Sequence, residues 1–161
     1  MAQQAIRSEN PVQKGVAKAV ARRDPRGETA RRTKASVQNY LDRFSEAMTS
    51  GDTQTMATLW QVPAFVIGSG MTRVVQSSQE VEQFFAGSKD MYNERGITGT
   101  RAEILDLDWV ADNLVTVRVR WPYLGTKGEV LGEESSSYTL LMDESGEFKV
   151  CVIVMRGEGP S

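Results

Sequence analysis

Between Thr100 and Arg156 the chain reads as a succession of segments in which apolar and polar residues alternate. Arg101 to Val110 places Glu103, Leu105, Leu107 and Trp109 on one side and Ile104, Asp106 and Asp108 on the other, the pattern of a strand with one buried face. Ala111-Asp112-Asn113 carries turn chemistry, because Asp and Asn tolerate positive φ and bond their own backbone. Leu114 to Trp121 then sets Val115, Val117, Val119 and Trp121 against Thr116, Arg118 and Arg120. Pro122 has no N–H to give to a ladder and is expected to end the central pairing. After a loop bracketed by Gly125 and Gly128, Glu134 to Met142 alternates again, with Glu134, Ser136, Tyr138, Leu140 and Met142 opposite Ser135, Ser137, Thr139 and Leu141. Asp143 to Gly146 predicts a hairpin turn, and Phe148 to Met155 the last strand. Four antiparallel strands joined as a meander are expected.

The last of them departs from the pattern. Val150 to Met155 is apolar at consecutive positions, so both faces are expected to be covered, one by helices from upstream. Four strands are too few for a sandwich, and a partner subunit is the preferred cover for the other face.

Upstream the period changes to that of a helix. Val37, Tyr40, Leu41, Phe44, Ala47 and Met48 recur at spacings of three and four and predict a helix from about Lys34 to Thr49, ended by Gly51. Asp52 can cap a second helix over Thr53 to Trp60, stopped by Pro63. Ala64 to Ile67 and Met71 to Val75 predict a small hairpin about Gly68-Ser69-Gly70. Ser77 or Ser78 can cap a third helix running to Gly96, with Val81, Phe84, Phe85, Ser88, Met91 and Tyr92 on one side; Glu80, three residues after Ser77, completes a capping box. Helices on one face of an antiparallel meander define an α+β domain over residues 36–158.

Composition bounds what this domain can do. With 161 residues, 40% hydrophobic and 25% charged, the chain suits one domain with a surplus at one end. Histidine is absent, which removes the commonest general base, the usual zinc ligand and every Ser-His or Cys-His pair. No ligand cluster with metal spacing and no glycine-rich phosphate loop is present, so neither a metal nor a cofactor is expected. The one cysteine, Cys151, lies in the apolar strand and reads as a small core residue in a reducing, cytoplasmic setting. No apolar run reaches the ~20 residues of a membrane span, so a soluble protein is expected. Charge is unevenly placed: residues 1–35 hold nine lysines and arginines against three acids, a net +6, leaving −8 on the rest of a chain whose total is −2. That basic stretch has no aromatic residue and few large aliphatics, and is expected to be a mostly disordered arm. A solvated tail is preferred for it; phosphate contact with nucleic acid, docking on an anionic surface and a targeting peptide are the alternatives.

Several stretches together resemble the nuclear transport factor 2-like superfamily, over about Ala35 to Glu158. They are the first helix with its Gly51-Asp52 exit, Trp60 and Pro63 before the first strand, the run from Leu107 to Trp121, and Ser145 to Val150, where many members have Gly-x-Trp-Lys-Ile. The resemblance implies a cystatin-like cone or half-barrel, a curved antiparallel sheet wrapped around about three helices. It also implies, as in SnoaL cyclases, ketosteroid isomerases and dehydratases, a pocket between helices and concave sheet, and a homodimer through the sheet's outer face.

Enzymes of that superfamily use an Asp base, an Asp-His or Asp-Arg arrangement and a tyrosine donor, and here histidine-dependent variants are excluded. Tyr40 and Tyr92 are candidate pocket tyrosines, though a tyrosine on an apolar helix face is more often core. Trp60, Trp109 and Trp121 are candidate lining for a small apolar ligand. Asp106, Asp108, Arg118 and Arg120 lie on neighbouring strands and are expected to form cross-strand ion pairs rather than a water-activating set. Glu134 and Tyr138 share a strand face with Ser136; should that face be concave, a carboxyl with a burial-raised pKa beside Tyr138 is the best acid-base pair available. Three functions follow: a small-molecule-binding domain, a histidine-independent lyase, isomerase or hydrolase, and a dimeric interaction module with a basic arm.

Overall fold

The computed structural model describes residues 32–158, so the expectations for the basic arm fall almost wholly outside the described residues. The chain divides into two units, residues 1–36 and 37–161. Of the first, Arg32 to Ser36 are described, a turn entering a helix in which Thr33 Oγ1 accepts from the Ser36 N–H at 3.2 Å.

Helix α1 (Lys34–Ser50) buries Val37, Tyr40, Leu41, Phe44, Ala47 and Met48, the residues its period selects. Gly51, at φ 75°, ends it in a left-handed conformation that costs glycine little. Asp52 caps α2 (Thr53–Thr58), accepting from the Thr55 N–H at 3.1 Å and the Thr55 hydroxyl at 2.6 Å. These hydrogen bonds hold the Asp52 carboxyl below its usual pKa. Strands β1 (Trp60–Gly68) and β2 (Met71–Val75) form the expected hairpin. Ser77 caps α3 (Ser78–Phe85), its Oγ accepting from the Glu80 N–H at 3.1 Å, while Glu80 Oε2 reaches back to the Gln76 N–H at 2.8 Å.

The single helix expected from Ser77 to Gly96 is two. It breaks at Ala86-Gly87, where Gly87 adopts φ 81°, and α4 (Ser88–Glu94) follows. Ser88 is buried and donates to the Met48 carbonyl, whereas Met91, placed on the apolar side by its spacing, is 56% exposed. The short β3 (Gly99–Thr100) and the long β4 (Glu103–Ala111), β5 (Leu114–Leu124), β6 (Val130–Met142) and β7 (Phe148–Glu158) follow.

The four long strands pair antiparallel as a meander. The sheet order is β2-β1-β7-β6-β5-β3, with β4 also on β5, so the hairpin extends the sheet through a parallel β1–β7 pairing that the local pattern does not specify. Pro63 lies inside β1 rather than before it. The register with β7 slips between Trp60 and Phe65, and a residue without an N–H is tolerated in such an irregularity. Pro122 likewise does not end β5, since Pro122 stands opposite Glu133 on β6. On the other edge β5 changes partner there, from β4, last paired at Arg120, to β3, first paired at Tyr123.

Two bulges shift the faces. Leu105 has no counterpart on β5, which puts Ile104, Leu107 and Trp109 against the core and leaves Leu105 42% exposed. Cys151 has none on β6, so Val150 and Ile153 both reach the core despite their odd spacing. Strand β7 therefore sits between β1 and β6, facing the helices with Val150, Ile153 and Met155 and the outside with Val152 and Val154.

Candidate functional site

The inward faces of β5 and β6 meet α1 and the α3–α4 segment over a connected set of rings. Phe44 is the hub, its centroid 5.7 Å from Tyr138, 6.1 Å from Trp121 and Phe85, and 6.3 Å from Tyr40. Tyr40 continues to Phe148 and then Trp109; Phe85 continues to Trp60 and Phe84. Four of the five ligand-binding candidates, Tyr40, Trp60, Trp109 and Trp121, are thus joined through Phe44, Phe85 and Phe148. Tyr40 is buried and donates to the Leu59 carbonyl at 2.6 Å, and burial raises its phenol well above the usual range. Trp121 Nε1 donates to Tyr138 Oη at 2.9 Å. The Trp60 Nε1–H is buried and has no hydrogen-bond partner among the described residues.

The alternation along β6 places Glu134, Ser136, Tyr138, Leu140 and Met142 on the face that turns toward the helices. Sequence left that choice of face open. Ser136 and Tyr138 are buried and Glu134 is half-buried near the end of the sheet where β6 begins. Burial pushes the Tyr138 phenol upward, the negative charge of Glu134 adds to it, and hydrogen bonds with Ser136 and Trp121 offset part. Tyr92, the fifth candidate, stands apart on α4. Its hydroxyl lies 3.6 Å from Met48 Sδ and its ring 6.2 Å from Tyr123, over which the Arg95 guanidinium stacks at 5.0 Å. Burial first, then the Glu134 charge, push its phenol up to about 12. The structure therefore brings Glu134 within electrostatic reach of both Tyr92 and Tyr138. Leu131, 49% exposed, lies against Gly96 near the end of α4. Tyr123 on β5 and Arg95 at the C-cap of α4 carry no signal in the sequence beyond residue type, because only the packing of α4 beside β5 brings them together.

The outward face carries the remaining candidates, and none of the expected pairs between Asp106 or Asp108 and Arg118 or Arg120 forms among the described residues; glutamates take Arg120 instead. Arg120 pairs with Glu103 at 2.7 Å and with Glu133 at 3.5 Å, and Glu103 also takes Arg101 at 2.8 Å. The Arg120 hydrogen bond holds the Glu103 carboxyl below its usual pKa. Arg118, opposite Asp106 in the register, makes no ion pair among the described residues, and Asp106 Oδ1 accepts from the Leu107 N–H at the bulge. No group of three or more metal-ligating side chains occurs among the described residues, and none of their helices is long and apolar enough to cross a membrane.

Helices on the concave side of a curved, unclosed sheet define a cystatin-like α+β fold. Among solved structures, a cystatin-like domain of unknown function from Nostoc punctiforme matches with a TM-score of 0.58 at 13% identity, over 79% of this chain and 78% of that one. An NTF-2-like protein of unknown function from Shewanella oneidensis gives 0.56 at 13% identity, over 74% and 94%. A candidate scytalone dehydratase from Novosphingobium aromaticivorans gives 0.54 at 14% identity, over 75% and 80%. At such identities the likeness establishes the fold. No curated protein matches the sequence. The family model described as NTF2-like protein (DUF6841) matches residues 28–158, and the chain belongs to that family.

Proposed function

We propose that the domain binds a small molecule at the end of its concave face where Glu134, Tyr92 and Tyr138 converge. The supporting observation is the half-buried Glu134 carboxylate acting on two phenols at the edge of an otherwise apolar interior. Two phenols held protonated well above neutral pH are hydrogen-bond donors, and a carboxylate beside them is an acceptor and a base. That set suits a ligand with a carbonyl or phenolic oxygen next to an acidic C–H or O–H, and is the set through which lyase or isomerase chemistry without histidine would run. The aromatic cluster around Phe44 fills the deeper interior, which confines the ligand to the outer end, by Tyr123, Arg95 and Leu131. The test is a thermal-shift panel of small carbonyl and phenolic compounds on wild type, Glu134→Gln and Tyr92→Phe. Compounds that stabilise wild type and lose the effect in both variants support the reading; binders indifferent to both substitutions refute it.

A second reading concerns partners. Across β2, β1 and β7 the outward residues Val74, Phe65 and Val152 lie in one row, and Thr72, Ile67 and Val154 in the next. Phe65 is 46% exposed, and Ile67, Val74 and Val154 are 37–39% exposed. Neither row carries a charge in these strands, so the patch offers nothing to a charged partner and complements itself under a two-fold axis. We propose a second copy of this chain as its cover. Val152→Arg should give monomers in sedimentation, and an unchanged dimer would refute it.

A further inference from the structure

The two outward rows change character along their length. Beyond Val152 the first continues through Thr139 on β6, Thr116 on β5 and Asp108 on β4; beyond Val154 the second continues through Ser137, Arg118 and Asp106. At the polar end lies a cleft of about 350 Å³ lined by Asp106, Thr116, Val117, Arg118, Ser137 and Arg156.

The guanidinium groups of Arg118 and Arg156 share this cleft with one carboxyl group, that of Asp106. Arg156 Nε donates to Ser137 Oγ at 3.0 Å, which draws it over β6 toward Arg118, the register partner of Ser137. Neither arginine forms an ion pair among the described residues, although Arg120, two residues along the same strand, holds both Glu103 and Glu133. Asp106 Oδ1 accepts from the Leu107 N–H, and its charge offsets one of the two arginines. Two guanidinium groups against one carboxylate leave the cleft a net positive charge, and arginine's planar fork matches the oxygens of carboxylates and phosphates. The hydroxyls of Ser137 and Thr116 add neutral donors beside the two forks.

We propose that this cleft is an oxyanion site, in which Arg118 and Arg156 grip a phosphate or carboxylate group and the two hydroxyls fix its orientation. The site lies on the opposite side of the sheet from Glu134 and is independent of the ligand proposed there. Asp106 at its edge disfavours a bulky polyanion and selects a small one.

The experiment is a titration of the full chain, followed by melting temperature, with inorganic phosphate in one arm and acetate in another, sodium chloride holding ionic strength constant. A saturable rise above the chloride baseline is expected, and the arm with the lower half-saturating concentration identifies the preferred oxyanion. Arg118→Gln and Arg156→Gln, both exposed and each keeping a side chain of similar reach, should each raise that concentration at least tenfold while leaving the melting temperature in chloride unchanged. No response above chloride in either arm, or one unaltered in both variants, would overturn the proposal. So would variants that change the sedimentation coefficient without changing the anion response, since the arginines would then be contacts between copies of the chain.

Discussion

Trp121 Nε1 donates to Tyr138 Oη at 2.9 Å although the strand register sets Trp121 opposite Glu134 and Tyr138 opposite Val117. The two side chains lean toward one another along the inner face and are both buried, with Phe44 against each. The bond supplies the indole N–H with an acceptor where no solvent reaches it.

Tyr138→Phe removes that acceptor while keeping the ring. An unpaired buried donor costs about 1–3 kcal/mol, and chemical denaturation should show a loss of that order with little change in m-value. A neutral result would mean that the indole finds another acceptor or water.

Phe44→Ala should be far more damaging, because the ring is in contact with four others. Truncating a buried Phe costs about 3–5 kcal/mol, so calorimetry should show a drop in melting temperature larger than that of any surface variant. Phe44→Leu should recover much of it.

Alkaline pH should weaken the fold. A phenol whose pKa is raised in the folded state stabilises it below the unfolded value, and that contribution is lost as pH rises through the folded value. For Tyr92 the window runs from 10.0 to about 12, and Tyr40 and Tyr138 are shifted in the same direction. Denaturation midpoints should therefore fall from pH 10 upward, less steeply in Tyr92→Phe. Absorbance titration of Glu134→Gln should place the Tyr92 phenol lower than in wild type, because the carboxylate charge that opposes the phenolate is gone; an unmoved titration would separate Glu134 from Tyr92.

Ser77→Ala should cost about 1 kcal/mol, the usual worth of an N-cap, since Ser77 Oγ serves the Glu80 N–H. Urea midpoints would report it, and Ser77→Asp should restore the lost stability.

Cys151 should react slowly with thiol reagents at pH 8. Its thiol lies 3.4 Å from the Thr139 carbonyl and burial raises its pKa, so little thiolate forms. Modification at the rate of a free cysteine would show that the β7 bulge opens.

Local pattern determined the buried face of α1, the capping at Asp52 and Ser77 and the four-strand meander, because each depends on residues within a few positions of one another. It also placed Glu134, Ser136 and Tyr138 together, since a period of two fixes which side chains share a face. Tertiary structure alone decided that this face turns inward, that Leu105 and Cys151 bulge and reset the phase beyond them, and that β1 lies parallel to β7. It alone left Arg118 without the partner its register offers while giving Arg120 two. These outcomes depend on contacts between segments far apart in the chain, where packing around Phe44 and competition for backbone hydrogen bonds outweigh any preference a strand expresses by itself.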